Sequence, residues 1–93
     1  MIVEDKTRTV PDEWTDDLCI ELWEHAHDLG RNGNPGGYGM TIDLFPFVGV
    51  EDGRGRLLRT RDEWDFDGMR AWIAAHPDNV RQTWQRTVLP ESW

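Results

Sequence analysis

Few residues in this chain have types and spacings that could do chemistry, and each set stops short of a working site. The stretch DEWDFDG, residues 62–68, has the look of a calcium loop. Such loops set carboxylates at alternate positions ahead of a glycine and close the shell with a bidentate carboxylate at the last position. With Gly68 as the loop glycine, Glu63, Asp65 and Asp67 fill the first three ligand positions, but the closing position falls on Ala74. The stretch therefore reads as a hydrated acidic turn that caps the next helix. His25 and His27 are separated by one residue, which on a helix turns them about 200° apart. They cannot share a metal ion, and no Cys or His cluster completes a zinc site. His25 reads instead as a hydrogen-bonded, half-buried side chain.

The loop RNGNPGGYG, residues 31–39, contains Gly37-Tyr38-Gly39 but no lysine to meet a phosphate, and it follows a helix rather than a strand. That is the wrong context for a nucleotide fingerprint. It reads as a connection in which Tyr38 is a contact residue. Cys19 has no activating base near it in sequence and reads as a small hydrophobe. No GxSxG motif is present. These residues point to no catalytic centre, no cofactor and no metal, and so to a protein that works by binding.

The elements that must position any binding surface draw on an unusual composition. Six tryptophans, Trp14, Trp23, Trp64, Trp72, Trp84 and Trp93, are spread over 93 residues whose formal charge is −8. Leu, Ile, Val and Phe together number 20, close to the border below which chains stay disordered. Indole rings, each able to bury ~150–250 Å², carry the chain over that border. Length gives a single small acidic domain, residues 1–93, of marginal stability. One cysteine excludes an intramolecular disulfide, and MIVEDKTRTV has no apolar run of the signal-peptide kind. With no stretch near the ~20 apolar residues of a membrane span, the expectation is a cytoplasmic protein without membrane insertion.

Charge is unevenly placed. Residues 1–30 hold nine acids and two bases, residues 31–61 five arginines and three acids, and residues 62–93 six acids and three arginines. The basic middle, with Arg54, Arg56, Arg59 and Arg61, reads as solvated or paired with the acidic helix. On a strand these arginines split between two faces, and the global charge opposes nucleic-acid binding.

The spacing predicts an amphipathic first helix entered near Pro11, or later with Thr15 as N-cap, and stopped at Gly30. Its core stripe is Trp14, Leu18, Leu22, His25, Ala26 and Leu29, and its acidic stripe Glu13, Asp17, Glu21, Glu24 and Asp28. Residues 2–4 suggest a strand or a loose arm. MTIDLFPFVGV, residues 40–50, reads as a strand bulged at Pro46, residues 51–55 as a turn, and RLLRT as the returning strand of a hairpin. Thr60-Arg61-Asp62-Glu63 has capping-box spacing. Helices are expected over residues 66–75 and, opened by Pro77, over 78–88, with Val80, Trp84 and Val88 inward. The expected fold is α+β, in the order α-β-β-α-α, with an N-terminal helix and two short C-terminal helices set against the hairpin.

Ile20, Trp23 and His27 lie on the back of the first helix, opposite its core stripe. Either the tail at residues 89–93 covers them or a partner does, a second copy of the chain included. An aromatic anchor rimmed by charge has hot-spot anatomy. The candidate partner-binding set is therefore Ile20, Trp23 and His27 with Glu21 and Glu24, then Tyr38, Trp64 and Trp93. Trp14, Trp72 and Trp84 are expected to be internal.

By its size, its nine arginines against one lysine, its acidity and the tryptophans from Trp14 to Trp93, the chain resembles small orphan proteins that actinobacterial phages make early in infection. That resemblance implies a non-catalytic inhibitor of a host protein, acting in the host cytoplasm and toxic when overproduced. An immunity or antitoxin protein, or a DNA-mimicking nuclease inhibitor using the acidic stripe, are the alternative readings. Thermal melts with saturating calcium, zinc, ATP or NAD are expected to show no change, because any ligand of the native state raises its melting temperature. A reproducible rise of several degrees would overturn the non-enzymatic reading.

Overall fold

The computed structural model describes residues 2–31, 37–51, 56–57 and 60–88. Thr15 opens the first helix, α1 (Asp16–Arg31): its side-chain oxygen accepts from the Leu18 amide at 3.3 Å and its carbonyl from the Cys19 amide at 2.9 Å. Asp16 and Asp17 then lie at the positive end of the helix dipole. Gly30 does not stop this helix. It is buried inside the last turn.

The α+β expectation is overturned at residues 40–50. Where a bulged strand was expected, the chain forms a second helix, α2 (Gly37–Val48). An apolar run cannot be assigned to strand or helix by content alone, and here burial decides. Met40, Thr41, Leu44 and Val48 share one helical face, and all four are buried. Gly49, with φ of 66°, supplies the left-handed residue that ends the helix, its amide reaching the Phe45 carbonyl at 2.9 Å. Pro46 lies inside α2 and lacks a donor, but it sits in the last turn and on the exposed side.

Of the expected hairpin, β2 (Val50–Glu51) and β3 (Arg56–Leu57) pair over two residue pairs among the described residues, while the expected turn at 52–55 and residues 58–59 of the returning strand lie outside them. That ladder is too short to serve as a packing layer. The protein is mostly helical.

The Thr60–Glu63 stretch closes side chain to side chain, Thr60 Oγ1 donating to Glu63 Oε1 at 2.7 Å, and yields a single 3-10 turn over Arg61–Glu63. Asp65 then caps the third helix, α3 (Phe66–Ala75), by accepting from the Gly68 amide at 2.9 Å. A Cβ on Gly68 would lie 2.6 Å from the Phe47 ring, so glycine is what lets α3 approach α2. The fourth helix, α4 (Pro77–Trp84), has Pro77 in its first turn and buries Val80 and Trp84. It ends at Trp84 rather than at residue 88. Residues Arg86–Val88 form a strand, β4, antiparallel to β1 (Ile2–Glu4), with Ile2 opposite Val88 and Glu4 opposite Arg86.

Helix α1 is central, packing against α2, α3, α4 and β4. Trp84 joins the chain's early and late parts. Its Nε1 donates to the Thr9 carbonyl at 3.0 Å, the Arg8 guanidinium lies 4.2 Å over its ring, and Trp14 meets it edge-on at 5.2 Å. Trp84→Ala is expected to cost about 3–5 kcal/mol, a large share of a marginal domain's stability. Denaturant unfolding checks this, and a variant that unfolds with the parent would remove Trp84 from the core.

Candidate interaction surface

The residues expected to form a partner surface on the back of α1 are mostly inside. Trp23 is 6% exposed and Trp64 is 4% exposed, the reverse of the expectation for both. The two indoles meet edge-to-face with centroids 5.6 Å apart, and His27 stacks on Trp23 at 5.1 Å. Phe66 flanks Trp64 at 6.3 Å. Trp23 is thus covered by Trp64 and by its own helix neighbour His27, for a plain reason: a ring of ~150–250 Å² gains more from burial than any other side chain. Ile20 is half-buried against the hydrophobic core. Trp14 and Trp72, expected to be internal, are only partly buried, while Trp84 at 5% matches its expectation. Trp93 and the tail at residues 89–93 lie outside the described residues, and Tyr38 falls in the first turn of α2.

The acidic stripe is largely satisfied within the chain. Glu21 pairs with Arg8 at 3.2 Å, Asp28 with Arg31 at 2.9 Å, and Glu24 with Arg61. Arg70 bridges Asp16 and Asp67, each at 2.8 Å, and also donates to the Trp14 carbonyl at 3.1 Å. Those two carboxylates hold Arg70 even more firmly in its charged form. Asp65 and Asp67 are therefore occupied as a helix cap and an ion-pair partner. Among the described residues, no group of three or more His, Cys, Asp or Glu is placed to hold a metal ion.

Cys19 is fully buried, and burial pushes its thiol above the ordinary value, which disfavours the nucleophilic thiolate. His25 is half-buried, and burial first of all holds it below the ordinary imidazole range. Its Nε2 donates to the Arg86 carbonyl, so the ring fastens β4 to α1.

What remains open is the outer side of α2. Ile42 is 57% exposed, the one large hydrophobic side chain among the described residues that stands mostly in solvent. At 100° per residue, Phe45, Ile42 and Pro46 span an arc of about 100° with no charge in it. Phe45 is half-buried and Pro46 exposed. Asp43, the only charged residue of α2, bounds this arc. Beside Asp43 runs a groove of about 180 Å³ lined by Met40, Asp43, Trp72, Asn79, Gln82 and Arg86, with Thr83 completing it. Sites for cofactors and drug-sized ligands measure ~300–1,000 Å³, so this groove has room for a side chain rather than for such a ligand.

Sequence reasoning missed this surface because it took α2 for a strand. The helical spacing of Met40, Leu44 and Val48, ended by Gly49, was the signal that could have found it.

No protein-family model, curated protein or solved structure matches the chain. No helix is long and apolar enough to cross a membrane among the described residues.

The indole nitrogens of Trp23 and Trp64 are buried without an acceptor, which costs ~1–3 kcal/mol for each donor. Only the rings stabilise. Trp23→Ala is therefore expected to destabilise by about 3–5 kcal/mol, and Trp23→Phe far less, since it removes the unmet donor along with part of the ring. Equal thermal melts for the alanine variant and the parent would return Trp23 to the list of exposed anchors.

Proposed function

We propose that the chain is a non-catalytic protein-binding module that inhibits a host protein in the bacterial cytoplasm, and that its contact surface is the outer side of α2. The observation that carries this reading is the exposure of Ile42 at 57% on a helix face without charge, while the other large hydrophobic side chains among the described residues are buried at least in part. An uncharged apolar helix face left in solvent supports a contact role for α2. Ile42, Phe45 and Pro46 form its centre and Asp43 its rim, the usual arrangement of a protein contact. A helix apolar on nearly every side, as α2 is, belongs between two bodies.

The chemistry of the remaining residues supports a binding role as well. The thiol of Cys19 is buried, His25 is engaged with a main-chain carbonyl, and the carboxylates ahead of Gly68 have structural work. DNA mimicry draws less support, because Glu21, Glu24 and Asp28 of the acidic stripe are paired with arginines of the same chain. An immunity or antitoxin role uses the same kind of surface and differs only in the partner.

Ile42→Asp places a charge at the centre of the face without touching the core. The variant is expected to melt with the parent, to lose at least ~2 kcal/mol of partner affinity, and to relieve the growth arrest expected on overproduction in an actinobacterial host. Affinity capture and colony counts on induction, run beside Trp23→Phe as a control, provide the measurement. Unchanged capture and unchanged growth arrest with Ile42→Asp would place the contact surface elsewhere.

A further inference from the structure

The groove beside α2 suggests what the partner brings to the surface. Trp72, on α3, has His76 stacked against its ring at 4.2 Å and 17° from parallel, which occupies one face of the indole. His76 is itself fixed, its Nδ1 bonded to the Trp72 carbonyl at 2.9 Å. The indole is thereby held at a set angle in the groove wall and lines the same cavity as Asp43. Asp43 has no ion pair or hydrogen bond among the described residues, unlike Glu21, Glu24 and Asp28 of α1. An aromatic ring and a free carboxylate around one small cavity form the recognition chemistry of an organic cation: the ring quadrupole attracts the charge, and the carboxylate accepts its N–H groups.

We infer that this groove receives a cationic side chain, an arginine in the first place, from the protein partner that seats on Ile42. The inference rests on the α2 surface proposed above. Three observations favour arginine. The cavity of about 180 Å³ admits a side chain but not a cofactor-sized ligand. The planar guanidinium stacks on an indole and meets a carboxylate with two N–H groups at once, which an ammonium cannot do. The net charge of −8 draws a cationic partner and repels a second copy of this chain.

One cation, Arg86, also lines the groove, and the incoming charge must lie on the Asp43 and Trp72 side of it. Arg86 is shared with a second groove beside the first, lined by Glu4, Arg81 and Gln82, where Glu4 offers it an opposite charge. The amides of Asn79 and Gln82 complete the lining with donors and acceptors suited to a partner's main chain.

The test uses the full chain, labelled with nitrogen-15, and N-acetylarginine methylamide as the probe, with N-acetylglutamate as the anionic control. The arginine probe is expected to shift the Trp72 indole resonance saturably while the glutamate probe leaves it in place. Asp43→Asn is expected to weaken the arginine response roughly tenfold, and Arg86→Gln to strengthen it. The amide spectrum of each variant reports that it is folded. Three results would overturn the inference: an indole resonance indifferent to the arginine probe, a response to glutamate that disappears in Arg86→Gln, or self-association that grows with salt and occupies the groove.

The α2 surface is tested separately. If Ile42→Asp abolishes capture while the probe leaves Trp72 unmoved, the surface stands and the cation site falls. If the probe binds as expected while Ile42→Asp captures its partner unchanged, the site stands and the surface falls.

Discussion

The indole of Trp84 is the point on which the packing of this domain turns. Lying at the end of α4, it offers its N–H to the Thr9 carbonyl and one face to the Arg8 guanidinium, and it packs T-shaped with Trp14. The residue after it, Gln85, accepts from the Asp5 amide at 2.6 Å and donates toward the Arg8 carbonyl at 3.4 Å. A segment with no regular structure of its own, residues 5–15, is thus fastened at Asp5, Arg8, Thr9 and Trp14. Its exit at Thr15 is the cap that starts α1. These contacts add to the packing of α1 against α2, α3 and α4 and hold the segment that leads into it.

A second aromatic group does for the far side of α1 what Trp84 does for the near one. Trp23, Trp64, His27 and Phe66 close over the back of the helix, so its buried arc is wide and solvent meets it mainly along the acidic stripe. Arginines from the loop before α1 and from the 3-10 turn then reach that stripe, Arg8 to Glu21 and Arg61 to Glu24. Exposed pairs of this kind contribute only ~0–1 kcal/mol each. Their main effect is to soften the repulsion among carboxylates that share one helix face. The cost of using tryptophan as a structural ring is visible as well, in two buried N–H groups that have no acceptor.

How far the fold was legible in the sequence differs by element, with a physical reason in each case. Helix α1 is readable because its apolar and acidic residues recur at helical spacing, and α3 because Phe66, Met69, Ile73 and His76 share one face and Pro77 follows. Helix α2 was misread: Thr41, Ile42, Phe45, Phe47 and Val48 favour strands in isolation, and Pro46 argues against a helix interior. Burial of Met40, Leu44 and Val48 against α1 outweighs those preferences, and no single-residue propensity contains that information. The tryptophans show the same limit. Composition announces that some must be core and others reachable, but only the path of residues 60–66 lays Trp64 over Trp23. With residues 40–50 read as a strand, neither the face of Ile42 nor the groove at Asp43 and Trp72 has a place.

The pairing of β1 with β4 carries a consequence for how the molecule assembles. Ile2 faces Val88, and Trp84 reaches back to Thr9, so these contacts join the most distant parts of the sequence. Closing so long a loop has an entropic cost that grows only slowly with length, but none of it is recovered until both ends have docked. The helices, made of local contacts, can form and collapse first, and the strand pair must wait for them. If the ladder closes last, changes at Glu4 or Arg86 are expected chiefly to quicken unfolding and changes at Leu22 or Leu44 to slow folding, which stopped-flow kinetics checks.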